Sequence, residues 1–191
     1  MFQIVLICTG NRFRSPLAEG EIRSLAGAAP VHVSSLGLVE LGPVPPLIEA
    51  LAEAERFDLD ISGHRARALH GQDLSSADLV LGFERIHLAS AVVDANAARE
   101  RTFTLPELVE LLDHVDPRGR GDVVERARSV VELAGEMRRA RGVEPLLPEI
   151  ADPWGGTPEV YRETAERVIE LTRRLGERLL GITISPDGRS A

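Results

Sequence analysis

Phe2-Gln3-Ile4-Val5-Leu6-Ile7-Cys8-Thr9-Gly10-Asn11-Arg12-Phe13-Arg14-Ser15-Pro16-Leu17-Ala18 opens the chain after its first methionine. The apolar, β-branched run Phe2 to Ile7 has the composition of a strand buried on both faces of a parallel sheet. Cys8 to Arg14 then turns polar and contains glycine. Ser15-Pro16 predicts a helix start, with a capping hydroxyl and a proline in the first turn. Leu17, Ala18, Ile22, Leu25 and Ala26 carry helical spacing through about Leu25. Strand, short polar curl and helix together make the opening unit of a parallel α/β sheet. In such sheets ligands bind at the carboxyl ends of strands, and the first strand ends at Cys8.

The same alternation continues outward. Val31 to Ser35 reads as a second strand, and about Leu47 to Glu55 as a helix after the turn-rich Gly42 to Pro46. Asp58 to His64 is a loop. Asp78 to Phe83 is a third strand, Glu84 to about Asn96 a helix, and Arg101 to Thr104 a short fourth strand. Further helices are expected at Pro106 to about Leu112, Asp122 to about Arg141, and Pro158 to Leu180. These elements predict an α/β fold, a three-layer sandwich with a four-stranded parallel sheet and helices on both faces. Residues 1–184 form a single domain in this reading, with a helical insertion at about 113–148 and a frayed tail at 185–191.

Cys8 and Arg14 bracket five residues, giving Cys-x5-Arg-Ser. A lone cysteine at a strand end is ordinarily a packing residue. Here the spacing lets a loop curl so that its N–H groups point inward, a nest for a tetrahedral anion. The helix that follows adds its positive end. Gly10 and Asn11 are the residue types that tolerate the positive φ such a curl needs. Arg14 can hold phosphate oxygens through paired N–H bonds. The same positive field favours a thiolate at Cys8, aimed for in-line attack on phosphorus. Ser15 can donate its hydroxyl to that sulfur. Thr9, Gly10, Asn11, Arg12, Phe13, Arg14 and Ser15 are thus the expected phosphate-binding residues.

A net charge of −8 and the absence of a basic run argue against nucleic-acid binding. One cysteine excludes an internal disulfide framework. His32, His70, His87 and His114 are scattered without ligand spacing, so neither a metal nor another cofactor is expected. Arg138, Arg139 and Arg141 read as a solvated basic face, and Tyr161 as core. No stretch approaches the ~20 apolar residues of a membrane span. The opening apolar run is short, lacks a basic leader and has no cleavage site. A cytoplasmic protein, away from membranes, is expected.

The run Val5 to Glu19 resembles the signature of the low-molecular-weight protein tyrosine phosphatases. Further stretches resemble that family in order. Val33-Ser34-Ser35 matches its serine that braces the loop asparagine, here Ser35. Ser62 to Arg67 matches the stretch whose histidine, here His64, joins the same network. Ile150-Ala151-Asp152-Pro153-Trp154 is similar to its Asp-Pro-Tyr motif. The resemblance implies phosphate-monoester hydrolysis, most readily of protein phosphotyrosine, with Cys8, Arg14 and Asp152 catalytic and Asp152 the general acid. A phosphorylated protein or small phosphate ester is the implied partner, with inorganic phosphate as product and inhibitor.

Three departures stand out. Phe13 replaces the second cysteine that many members carry. Glu40 and Leu41 stand where the family usually has a Trp or Tyr against the substrate ring, so Leu41 and Trp154 are the expected substrate-lining residues. Arg12 adds a second guanidinium to the loop. Two rival readings share the fold: an arsenate reductase using an external thiol, and a phospho-binding regulatory module that has lost turnover.

Overall fold

Alternate residues of the first strand enter two different cores, and that division organises the molecule. The computed structural model describes residues 1–114, 121–142 and 149–181. Strand β1 (Phe2–Cys8) lies centrally in a sheet that also holds β2 (Val31–Gly37), β3 (Leu79–Gly82) and β4 (Thr102–Thr104). The four strands are parallel and ordered β2-β1-β3-β4. In β1, Phe2, Ile4, Leu6 and Cys8 point to the larger core, and Val5 and Ile7 to the smaller one.

The larger core is roofed by α1 (Arg14–Ala26), α2 (Ile48–Arg56), α4 (Leu105–Asp113), α5 (Val123–Arg141) and α6 (Pro158–Leu180). The opposite face is thinner: α3 (Arg85–Asp94) supplies Ala91, and irregular chain supplies Leu69, Leu74 and Ala77. Both faces are therefore covered, as a parallel sheet requires. Aliphatic side chains build most of this core, in keeping with an aromatic content of only 4%.

Two sequence expectations change at the level of the elements. Strand β2 runs two residues beyond Ser35, because Leu36 and Gly37 stay in register with Ile7 and Cys8. Of the basic cluster of α5, Arg139 is exposed as expected, whereas Arg138 and Arg141 are drawn onto the protein. Arg138 donates to the carbonyls of Thr102 and Arg99 and lies 4.1 Å from the Phe103 ring centroid, while Arg141 pairs with Glu110. A guanidinium satisfies carbonyls at the sheet edge while its stem covers apolar surface, which no one-dimensional charge pattern reveals. Gly135 lets α5 lie close there, since a Cβ would stand 2.7 Å from the Glu100 carbonyl. The expected insertion spans residues 115–120 and 143–148, which, like the tail, lie outside the described residues. Its helix α5 nonetheless buries Val124, Ala127, Val130, Val131 and Ala134 in the main core.

Candidate active site

The carboxyl end of β1 delivers Cys8, and the chain curls through Thr9 to Phe13 into α1. Two backbone bonds anchor the start of the curl: Leu38 N–H to the Cys8 carbonyl at 3.1 Å and Val39 N–H to the Thr9 carbonyl at 2.9 Å. Asn11 takes the left-handed conformation, with φ 52°. Gly10 does not, against the expectation drawn from its residue type. The glycine that the packing demands is Gly37, where a Cβ would sit 3.0 Å from both N and Cβ of Asn11. The need there is for space between β2 and the curl, not for a special φ.

Cys8 Sγ is buried inside this curl. It accepts the Asn11 N–H at 3.2 Å and lies 3.0 Å from Ser15 Oγ. Ser15 is not the helix cap: Phe13 holds that position and offers no side-chain bond. The Asn11 side-chain amide donates to Ser15 Oγ at 2.9 Å, which leaves the hydroxyl hydrogen free to point at sulfur. Both donors converge on the one atom that would carry charge as a thiolate.

A buried network braces the curl from behind. Asn11 Nδ2 also donates to Ser35 Oγ at 2.8 Å, and Asn11 Oδ1 accepts the Arg67 N–H at 2.9 Å. Ser35 passes its own hydrogen to Glu19 Oε2 at 2.5 Å. His64 Nε2 lies 2.8 Å from the Asn11 carbonyl and so donates to it. Burial holds His64 below the usual histidine range, partly offset by that hydrogen bond. Ser35 and His64 thus meet at Asn11, although 24 and 53 residues separate them from it.

Arg14 is fully buried. Its Nη1 donates to Glu84 Oε2 at 2.6 Å and to the Ile150 carbonyl at 2.7 Å. Its Nη2 donates to Thr9 Oγ1 at 2.9 Å and to Asp152 Oδ2 at 2.6 Å. Its Nε is buried without a partner. An unpaired donor on a charged group is costly, and an anion in the curl would satisfy it. Asp152 is one-third exposed, and its other oxygen accepts the Trp154 N–H at 3.2 Å. Gly155, at φ 75°, then turns the chain toward α6.

The rim is apolar but only half aromatic. Leu41 reaches over Gly10, its Cδ1 lying 3.7 Å from where a Cβ would be, and Trp154 is 69% exposed. Arg12 is tied by Nε to the Pro45 carbonyl at 2.9 Å instead of standing free in solvent. Phe13 is buried edge-on against Tyr161, ring centroids 5.1 Å apart, so Tyr161 is core as expected.

Two residues at this site escape the sequence reading. Glu84 grips Arg14, and His87, fully buried, brings Nε2 to 3.4 Å from Thr9 Oγ1. Burial, then the charge of Arg14, pushes His87 down to about 4. The available signal was Glu-x-x-His ahead of an apolar run, a spacing with capping-box geometry, and both reciprocal bonds of that box form at the start of α3. That signal marks a helix start, not a site.

Known proteins place this geometry. The family model for low molecular weight phosphotyrosine protein phosphatase matches residues 3–134. A probable low molecular weight protein-tyrosine-phosphatase, EpsP, of Ralstonia nicotianae is 33% identical over 148 residues, covering 77% of this chain and 94% of its own. The protein-arginine-phosphatase of Bacillus subtilis is 29% identical over 183 residues, covering 92% of this chain and 95% of its own. The crystal structure of a low molecular weight protein tyrosine phosphatase from T. tengcongensis superposes with a TM-score of 0.68 at 28% identity, covering 94% of this chain and all of that one. The family model spans more than half of the chain and the fold is shared with a solved member, so the chain belongs to the low molecular weight phosphotyrosine protein phosphatase family.

Proposed function

We propose that this phosphatase works through a phosphocysteine intermediate, with Cys8 as nucleophile, Arg14 as phosphate clamp and Asp152 as general acid and base. The observation that carries this reading is the convergence on one curl of a buried sulfur with two donors, an arginine Nε without an acceptor, and a carboxylate at the mouth. Sulfur attacks phosphorus as the leaving group departs with a proton from Asp152. Water, deprotonated by Asp152, then displaces the sulfur and releases inorganic phosphate. Arg14 stabilises the charge that spreads over the equatorial oxygens. An oxyanion that takes Nε and Nη2 would replace Asp152 on Nη2 and free that carboxylate for the leaving group.

Phosphotyrosine on proteins is the proposed substrate, with Trp154 and Leu41 lining its ring. Phosphoarginine is a second reading, favoured by one observation: the relative named for that activity aligns over 92% of the chain. Residues 1–184 are proposed to act as one domain, a reading supported by the burial of α5 in the main core. The absence of a second cysteine weighs against arsenate reduction by internal dithiol chemistry.

Turnover of phosphotyrosine, phosphoarginine and phosphoserine peptides and of p-nitrophenyl phosphate tests the reading. Cys8→Ser is expected to abolish turnover while still binding inorganic phosphate. Turnover surviving in Cys8→Ser overturns the mechanism. Phosphate binding by the unmutated chain with no hydrolysis of any of these substrates would favour a binding module. Thiol oxidation driven by arsenate, faster than any ester hydrolysis, would favour the reductase.

A further inference from the structure

The turn joining β3 to α3, residues 82–87, touches both halves of the site and is used by neither the sequence motif nor the mechanism above. Its Phe83 ring centroid lies 5.8 Å from Arg14 Cζ, and its Glu84 carboxylate holds Nη1. The Phe83 carbonyl accepts the Ile150 N–H at 2.9 Å, while the Ile150 carbonyl accepts Arg14 Nη1. The Arg85 N–H donates to Glu149 at 2.6 Å. One turn therefore ties the buried arginine to the segment that carries Asp152.

His87 completes it. Nδ1 accepts two backbone hydrogens, from Phe83 at 3.2 Å and Glu84 at 3.0 Å, so that nitrogen carries no proton. The neutral ring must then bear its hydrogen on Nε2, which faces Thr9 Oγ1. Thr9 Oγ1 also accepts from Arg14 Nη2. With both lone pairs occupied, the hydroxyl can act toward a ligand only as a donor. Space for this is built in: a Cβ at Gly82 would stand 2.8 Å from the His87 Cβ and 2.5 Å from Leu88 Cδ1.

Resting on the function proposed above, we infer that Glu84 and His87 are positioning residues. Glu84 fixes the Arg14 guanidinium from behind, and His87 fixes the Thr9 hydroxyl as a hydrogen-bond donor to the phosphoryl group. Glu84 has a second effect, through charge. Arg14 is flanked by two carboxylates, Glu84 and Asp152. Removing one favours anion binding even as it loosens the guanidinium.

The two roles separate experimentally, with calorimetric binding of inorganic phosphate and steady-state turnover of p-nitrophenyl phosphate as readouts. Glu84→Gln is expected to lower kcat about tenfold while phosphate binds as tightly as before or more tightly. A parallel loss of kcat and phosphate affinity overturns the role of Glu84. His87→Asn keeps an acceptor near Nδ1 but cannot reach Thr9, whereas His87→Gln can place an N–H near Nε2. His87→Asn and Thr9→Val are each expected to weaken phosphate binding about tenfold. The double variant should be no worse than either, and His87→Gln should recover most of the loss. Additive losses, or equal loss in His87→Gln and His87→Asn, overturn the role of His87, including where both variants merely unfold. Phosphate binding that shows this pattern in a chain without turnover would sink the catalytic reading and leave this one standing. Normal turnover with unchanged binding in His87→Asn and unchanged kcat in Glu84→Gln would do the reverse.

Discussion

Asn11 holds the site together through both its side chain and its backbone. Its amide bonds Ser15, Ser35 and the Arg67 N–H, and its own N–H and carbonyl meet Cys8 and His64. Asn11→Ala would leave the Arg67 amide without its acceptor and force an alanine to φ 52°. We expect a loss of about 2–4 kcal/mol in stability, read by denaturant unfolding, and at least tenfold in kcat. Loss of kcat without loss of stability would restrict Asn11 to orienting Ser15. Cys8 makes a different prediction. It is the chain's single thiol. An oxidised Cys8 has no internal partner, so prolonged peroxide should carry it to sulfinic acid. Activity that returns fully when reductant is added after such treatment would contradict this.

At the scale of elements, α1 and α6 are joined by a buried charge. Glu21 on α1 pairs with Arg173 on α6 at 2.7 Å. Burial raises Glu21 above the ordinary carboxyl range despite that partner. Between the unfolded value and the raised one, the unfolded chain ionises first, so stability falls as pH rises through this window. Glu21→Gln should flatten that fall, and Arg173, partly exposed and 5.7 Å from the Phe57 ring centroid, is not stranded by the change. Thermal unfolding from pH 4.5 upward reads it. A steeper fall in the variant would reverse the sign. Gly37 carries a second prediction for the junction of β2 with the curl. Gly37→Ala must push Asn11 and Gly10 aside, costing about 1–3 kcal/mol and most of the phosphate affinity. Unchanged phosphate binding in that variant would show that the curl does not rest on β2.

Across the whole molecule, two buried neutral histidines contribute to the acid side of the stability curve, alongside carboxylates such as Asp78 that are held below their ordinary range. His87 titrates at about 4, against an ordinary value of 6.5, and His64 is lowered in the same direction. The unfolded chain takes up these protons near pH 6.5 and the folded one only at lower pH. The histidines' contribution to stability is thus fully present above about pH 6.5 and is lost as pH falls toward 4. For His87 alone the difference is about 3 kcal/mol. His87→Gln should remove that share of the slope between pH 6.5 and 4, and an unchanged slope would show that His87 protonates in the folded protein. Among the described residues no helix is long and apolar enough to cross a membrane.

The order of strands and helices, the curl after β1 and the residues that belong to it were legible in the chain. Strand and helix periodicities are local, and Cys-x5-Arg-Ser is a contiguous pattern whose chemistry follows from its spacing. The last helix, Pro158–Leu180, appears at the boundaries its proline and apolar spacing indicate. What the tertiary structure alone decided is which distant groups face Arg14 and Thr9. Glu84, His87 and Ile150 reach them because β3 pairs with β1 and places its carboxyl end beside the curl. Sequence separation carries no information about such a meeting. A buried guanidinium nonetheless requires partners for its hydrogens, and only the packed sheet determines which side chains supply them.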